Sequence, residues 1–336
     1  MGEALLSAPS VVPPVREYGF ELALCDVLET PDRVVSRQLG AHVHGRRIAD
    51  TVCLEPGPDF EDRAAITSET IPDRAIAADV GVGRARDVRE VFDGMRPERA
   101  QSLVEHCVEI GLFERERRNG RTYVRQTARY PRSWFDRLVG IENKPDLDRP
   151  GDLYSQLRRD VALGLFDEVV LATNTYVTGA HLNRIPEAVG VWRFHPESGE
   201  REVIREPTPL DVENGSAEIV AECPGRTEVA LVSASEKQRA RRTLAERAYG
   251  KGWRPADLPG CAKCTPDADD RAATLPHCEW HERLVKPAVE CGPDCPGYEA
   301  ADPPESDPAA ERASRSAWAN DPGGFKRQQA GLDRFG

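Results

Sequence analysis

The sequence predicts an α/β fold: a mixed sheet flanked by helices and interrupted by a separate module. Three observations carry that expectation. Apolar stripes at helical spacing alternate with short runs rich in Val, Ile and aromatic residues. The alternation breaks over residues 61–130, where short helical pieces and an arginine-rich hairpin take over, and then resumes. Five of the nine cysteines crowd between 261 and 295, too close together to be scattered core residues.

Taken in order, the first element is a helix over Arg16 to Glu29. Phe20, Leu24, Val27 and Leu28 share one face, and Thr30-Pro31-Asp32 stops it. VVSRQLGAHVHG and RRIADTVCLE read as consecutive antiparallel strands joined at His44-Gly45, and Pro56-Gly57-Pro58 ends the second. Within 61–130, Ala100, Leu103, Val104, Cys107 and Val108 form a helical stripe that stops at Gly111. FERERR and RTYVRQ then flank Asn119-Gly120, a pair that tolerates the two positive φ angles of a tight hairpin. Helix, glycine and twisted basic hairpin resemble a winged helix-turn-helix. WFDRLVGIENK follows as a strand, DLYSQLRRDVALG as a helix opened by Asp152 and closed by Gly164, and EVVLATN as a buried strand. AVGVWRF and REVIREP pair across a polar turn, and a charged helix, SEKQRARRTLAERAYG, comes after Cys223. Residues 211–298 are expected to form that helix and a Cys/His module, and the Pro/Asp/Ser/Ala-rich stretch 299–336 a disordered tail.

The strand WFDRLVGIENK ends in Glu142-Asn143-Lys144, although the chain has only six lysines among 45 basic residues. Residues two apart on a strand share a face, so Glu142 and Lys144 point into one cleft and Asn143 points away. A hard cation such as Mg²⁺ or Mn²⁺ prefers oxygen donors, which the carboxylates of Asp50 and Glu142 and the Asn143 carbonyl could provide. Lys144 beside it would orient or deprotonate a water and offset phosphate charge. With 61–130 removed, the order is αβββαβ, which resembles the PD-(D/E)xK nuclease superfamily and its restriction-endonuclease-like core. The resemblance spans residues 15–60 and 134–210. It implies an acidic residue on the first helix (Glu21, with Glu17 as rival), Asp50 on the second strand, Glu142 and Lys144 on the third, and Gln156 on the following helix. It further implies a metal-dependent DNA endonuclease or exonuclease, in repair or defence. "IAD" stands where the family has Pro-Asp, about 90 residues separate Asp50 from Glu142, and Asp136 is a rival ligand on the same strand.

Arg115, Arg117, Arg118, Arg121 and Arg125, with Arg129 beyond them, give the hairpin a local basic excess suited to the phosphate backbone of DNA. The preceding helix is acidic at Glu98, Glu105 and Glu109, which argues against its reading bases. Cys261-x₂-Cys264 and Cys278-x₂-His281 offer four donors for tetrahedral zinc. Cys291 and Cys295 could replace the second pair, and some nuclease relatives of the RecB type hold a [4Fe–4S] cluster instead. A non-catalytic nucleic-acid-binding or regulatory protein, using the hairpin and the zinc module, is the alternative reading.

Net charge is −12, arginine nearly replaces lysine, and aromatic residues make up only 6%. This composition resembles that of proteins from salt-loving archaea, in which acidity serves solubility and says little about partners, since molar salt screens charge within about 3 Å. No run of about 18 apolar residues occurs. MGEALLSAPSVVPPV also lacks the basic start and apolar stretch of a signal peptide, so a cytoplasmic protein without membrane contact is expected. Nothing in the sequence specifies an oligomeric state, and a dimer is compatible with it.

Overall fold

The computed structural model describes residues 17–266 and 273–324. Helix α1 (Glu17–Leu28) leads into β1 (Val34–Gly40) and β2 (Ile48–Pro56), which pair antiparallel from Val34↔Leu54 to Gly40↔Ile48. Arg16, the expected first residue of the helix, lies outside the described residues. The chain then leaves the sheet through α2 (Phe60–Ala64), α3 (Asp73–Ile76), β3 (Arg86–Asp87), α4 (Val88–Val91), α5 (Pro97–Glu109), β4 (Phe113–Arg118) and β5 (Arg121–Gln126). It returns as β6 (Phe135–Asn143), beside β2, followed by α6 (Leu153–Leu163), β7 (Glu168–Thr173), α7 (Gly179–Leu182), β8 (Gly190–His195) and β9 (Glu200–Arg205). The sheet order is β1-β2-β6-β7-β8-β9. Strands β6, β7 and β8 are parallel and the remaining pairs antiparallel, so the fold is α/β with a mixed sheet and the αβββαβ order read from the sequence.

Strand alternation feeds two apolar layers. Val52, Leu54 and Leu138 face one side with Leu157 of α6, while Cys53, Val139 and Ile141 face the other with Phe20, Leu22 and Leu24 of α1. Phe20 meets Phe194 of β8 edge to face at 5.4 Å, tying α1 across the sheet. Gly164 ends α6 in the left-handed conformation (φ 61°), whereas Asp152 takes the cap position without a side-chain cap bond.

The insertion has its own core, including Val104, Cys107, Leu112, Phe113 and Val124. Its β3-β5-β4 sheet and paired helices follow the winged-helix order, and Asn119 (φ 49°) with Gly120 (φ 75°) makes the expected turn. A buried joint ties it to the rest. Arg63 donates from Nε and Nη2 to Glu246 at 2.7 and 2.6 Å, and Tyr130 Oη donates to the same carboxylate at 2.8 Å. Neither partner of that ion pair exceeds 1% exposure.

Three features depart from the sequence reading. A hairpin, β10 (Ser216–Cys223) and β11 (Arg226–Val232), turns at Pro224-Gly225 and lies against α6. The charged helix α8 (Ala234–Lys251) belongs to the core rather than to the Cys/His module: Leu244, Ala245, Ala248 and Tyr249 are buried in the layer around α6. After β12 (His277–Cys278), β13 (Arg283–Leu284) and α9 (Pro287–Glu290), the expected disordered tail instead contains α10 (Pro308–Arg315). Asp307 caps that helix through Ala310 N–H, and Arg312 donates to the Ala248 and Tyr249 carbonyls while lying over the Trp318 ring. Two anchors, Arg312 and Trp318, thus outweigh a composition that averages as polar. Residues 325–336 of the expected tail lie outside the described ones. No described helix is long and apolar enough to cross a membrane.

Candidate active site

Asp50 and Glu142, far apart in sequence, meet at the end of β6. Asn143 N–H donates to Asp50 Oδ2 at 2.9 Å, fastening Asp50 beside the strand that carries Glu142, close enough for the two carboxylates to act on each other electrostatically. Asn143 itself turns to the opposite face, as alternation requires, and donates to Thr51 Oγ1 at 2.9 Å. Two neighbouring carboxylates repel unless a proton or cation lies between them. Burial first, then the charge of Asp50, pushes Glu142 up to about 8. Burial likewise raises Asp50, Glu21 and Asp160.

Glu21, rather than the exposed Glu17, is the helical acid that reaches the cleft. It does so through Gln38, which stands opposite Asp50 where β1 and β2 pair and donates from Nε2 to Glu21 at 3.0 Å and to Asp50 at 3.3 Å. Gln38 holds φ at 55°, a left-handed conformation uncommon for a side chain of this size, and such strain concentrates at functional sites. Lys251 Nζ donates to the Gln38 carbonyl at 2.9 Å. Lys144 follows the end of β6 with its Nζ free of hydrogen bonds and ion pairs among the described residues. The rival Asp136 is exposed near the other end of the strand.

Gln156 does not join the cluster: its side chain makes no hydrogen bond among the described residues. One turn later Asp160 does, through Arg47. The Arg47 guanidinium donates to Glu142 at 2.5 Å and to Asp160 at 2.8 Å. Burial alone would lower its pKa, but the two carboxylates outweigh that and raise it. Four carboxylates therefore face Arg47 and, at 3.5 Å from Glu21, Arg37. Beside them a cavity of about 270 Å³ is lined by Arg46, Arg47, Arg159 and Glu218. Glu218 closes the far side by accepting N–H bonds from His44 (2.6 Å) and Gly45 (3.0 Å).

The hairpin arginines are less free than their number suggests. Arg118 pairs with Glu116, Arg125 with Glu114 and Glu116, and Arg121 with Asp87. Arg115 and Arg117, two apart on one face of β4, are exposed and have no such partner among the described residues. In the cysteine-rich segment all five thiols are free. The thiols of Cys291, Cys278 and Cys261 add to burial in raising Cys264 to about 11. His281 Nε2 lies 3.7 Å from Cys295 Sγ. Among the described residues, no group of three or more His, Cys, Asp or Glu is drawn together as a finished metal cage.

No curated protein and no solved structure matches the chain significantly. A family model described as a family of unknown function, DUF5787, matches residues 34–300. That span holds Asp50, Glu142, Lys144, Asp160 and the whole cysteine cluster, and the chain belongs to this family.

Proposed function

We propose that the protein is a divalent-metal-dependent DNA nuclease, an endonuclease or exonuclease of PD-(D/E)xK type. The observation that carries the reading is the fastening of Asp50 to the end of β6, where Asn143 N–H donates to its carboxylate beside Glu142, with the unpaired Lys144 one residue past the strand end. The donors suit the group such a reaction needs: hard carboxylate oxygens on two neighbouring side chains, whose mutual repulsion a cation would offset. Asp50 and Glu142 would hold Mg²⁺ or Mn²⁺, which when bound supplies Lewis acidity and a water of lowered pKa.

The chain's own residues do the rest. Lys144 sets an ammonium beside the scissile phosphate, offsetting developing charge and holding or releasing a proton. Glu21, acting through Gln38, orients Asp50. Asp160, acting through Arg47, orients Glu142. Arg115 and Arg117 on the hairpin contact phosphates without reading bases.

The test is nicking of supercoiled plasmid with Mg²⁺ or Mn²⁺ at high salt. Wild type should cleave, whereas Glu142→Gln and Lys144→Ala should lose cleavage and keep DNA binding. Normal cleavage by both variants, or none by wild type across divalent metals and salt, would reject the reading. A second reading, a non-catalytic nucleic-acid-binding protein, draws support from Arg47, whose guanidinium already supplies a cation to Glu142 and Asp160.

A further inference from the structure

The cysteine-rich segment takes no part in the cleft, yet its backbone is folded like a clasp. Cys264 N–H donates to the Cys261 carbonyl at 2.9 Å, closing the Cys-Ala-Lys-Cys turn. Cys264 then forms an antiparallel bridge with Cys278. Thr265 N–H to the His277 carbonyl (3.0 Å) and Glu279 N–H to the Lys263 carbonyl (2.9 Å) hold the two thiol-bearing turns together. Helix α9 brings Cys291 beside these turns: Arg283 of β13, the strand paired with the one carrying Cys278, donates to Glu290, the residue before Cys291, at 2.6 Å. His281 faces Cys295 instead.

This segment needs a crosslink. Two two-residue strands and a four-residue helix cannot bury enough apolar surface to order themselves, and the free thiols mean that no disulfide does the work. Three of the thiols, Cys261, Cys264 and Cys278, are nonetheless buried. Four thiols carried on neighbouring turns offer a soft donor set that selects zinc or iron over Mg²⁺.

We propose that Cys261, Cys264, Cys278 and Cys291 bind one structural zinc ion, with His281 and Cys295 outside its ligand set. Each thiol gives up its proton to solvent on binding. The ion's role reaches the cleft indirectly. Leu275 and Leu284 of the clasp pack with Phe20, Leu22 and Leu24 of α1, the helix that carries Glu21. Gly19 of α1 lies so close that an added Cβ would stand 3.4 Å from Leu284 Cβ. The proposal is independent of whether the cleft cleaves DNA.

The test uses the full-length protein purified without chelator. Elemental analysis should find about one zinc per chain. Cys278→Ser and Cys291→Ser should lose it, while His281→Ala and Cys295→Ser should retain it. Because the first two variants can misfold, alkylation of the wild type mapped by mass spectrometry provides a second measurement. Cys261, Cys264, Cys278 and Cys291 should be protected until a chelator is added, with Cys295 and the exposed Cys223 reactive throughout. Absence of stoichiometric metal, iron with sulfide in place of zinc, zinc loss in His281→Ala, or chelator-independent protection of the four thiols would each overturn the proposal.

Discussion

Raising the pH of the chelator-treated protein should destabilise it, chiefly through Glu142. Its carboxyl is held up to about 8, against about 4.3 in an unfolded chain. Between those values the unfolded state binds fewer protons than the folded one, so stability falls as pH rises. The contribution is complete below the unfolded value and lost as pH passes the folded one. At about 1.4 kcal/mol per unit, Glu142 alone accounts for a loss of as much as about 5 kcal/mol across that window. Asp50, Glu21 and Asp160 shift in the same direction. Mn²⁺ must displace the Glu142 proton, so its apparent affinity should rise about tenfold per pH unit up to about 8 and then level off. Chemical denaturation with EDTA and calorimetric Mn²⁺ titration, at matched high salt, measure both. Glu142→Gln, which still accepts from Arg47, should flatten the stability profile and abolish the pH-dependent Mn²⁺ binding. A wild-type stability that is flat or rising from about pH 5 to about 8, or an unchanged slope in Glu142→Gln, would refute the reasoning.

Other outcomes follow from the geometry. Glu246→Leu strands the buried Arg63 guanidinium and should cost about 3–5 kcal/mol in denaturant unfolding, and adding Arg63→Met should recover most of it. Arg115→Ala with Arg117→Ala should lower the slope of log affinity against log salt for duplex DNA by about 2. Arg118→Ala with Arg125→Ala, which removes arginines already paired to glutamates, should lower it less. Gln38→Gly relieves the left-handed backbone but removes the link between Glu21 and Asp50. Stability should stay within about 1 kcal/mol of wild type while cleavage falls, measured by thermal unfolding and plasmid nicking.

The core was legible because its signals are local. Period-two runs such as those of β2 and β6, Gly164 at a helix end and Asn119-Gly120 in a turn each declare a conformation from a few residues. The β10–β11 hairpin carries a local signal too: Pro224-Gly225 stands between alternating β-branched runs, and Gly225 has φ 79°. Helix α8 misled because burial there depends on distant partners, with Lys237 donating to the Asp211 carbonyl and Arg241 to that of Leu165. At the cleft, Asp50, Glu142 and Glu21 could be found by type and order. Arg47, Asp160 and Gln38 could not, because their roles arise from a left-handed residue within β1 and an ion pair that exist only after folding.

The two ends of the insertion leave the sheet side by side. Gly57 N–H donates to the Trp134 carbonyl at 2.9 Å and Asp59 N–H to that of Ser133 at 3.1 Å. A Cβ at Gly57 would stand 2.4 Å from the Ser133 oxygen, so only glycine permits the approach. In polymer terms the wing-bearing stretch is the loop of a β2–β6 hairpin. Closure entropy grows by only about 0.6 kcal/mol for each doubling of loop length, so lengthening a tight connection to roughly 70 residues costs about 2–3 kcal/mol, which a domain with its own core offsets. A separately folding unit can therefore be grafted between two halves of a cleft without moving either carboxylate, and searches that expect the halves at fixed spacing would pass over such chains.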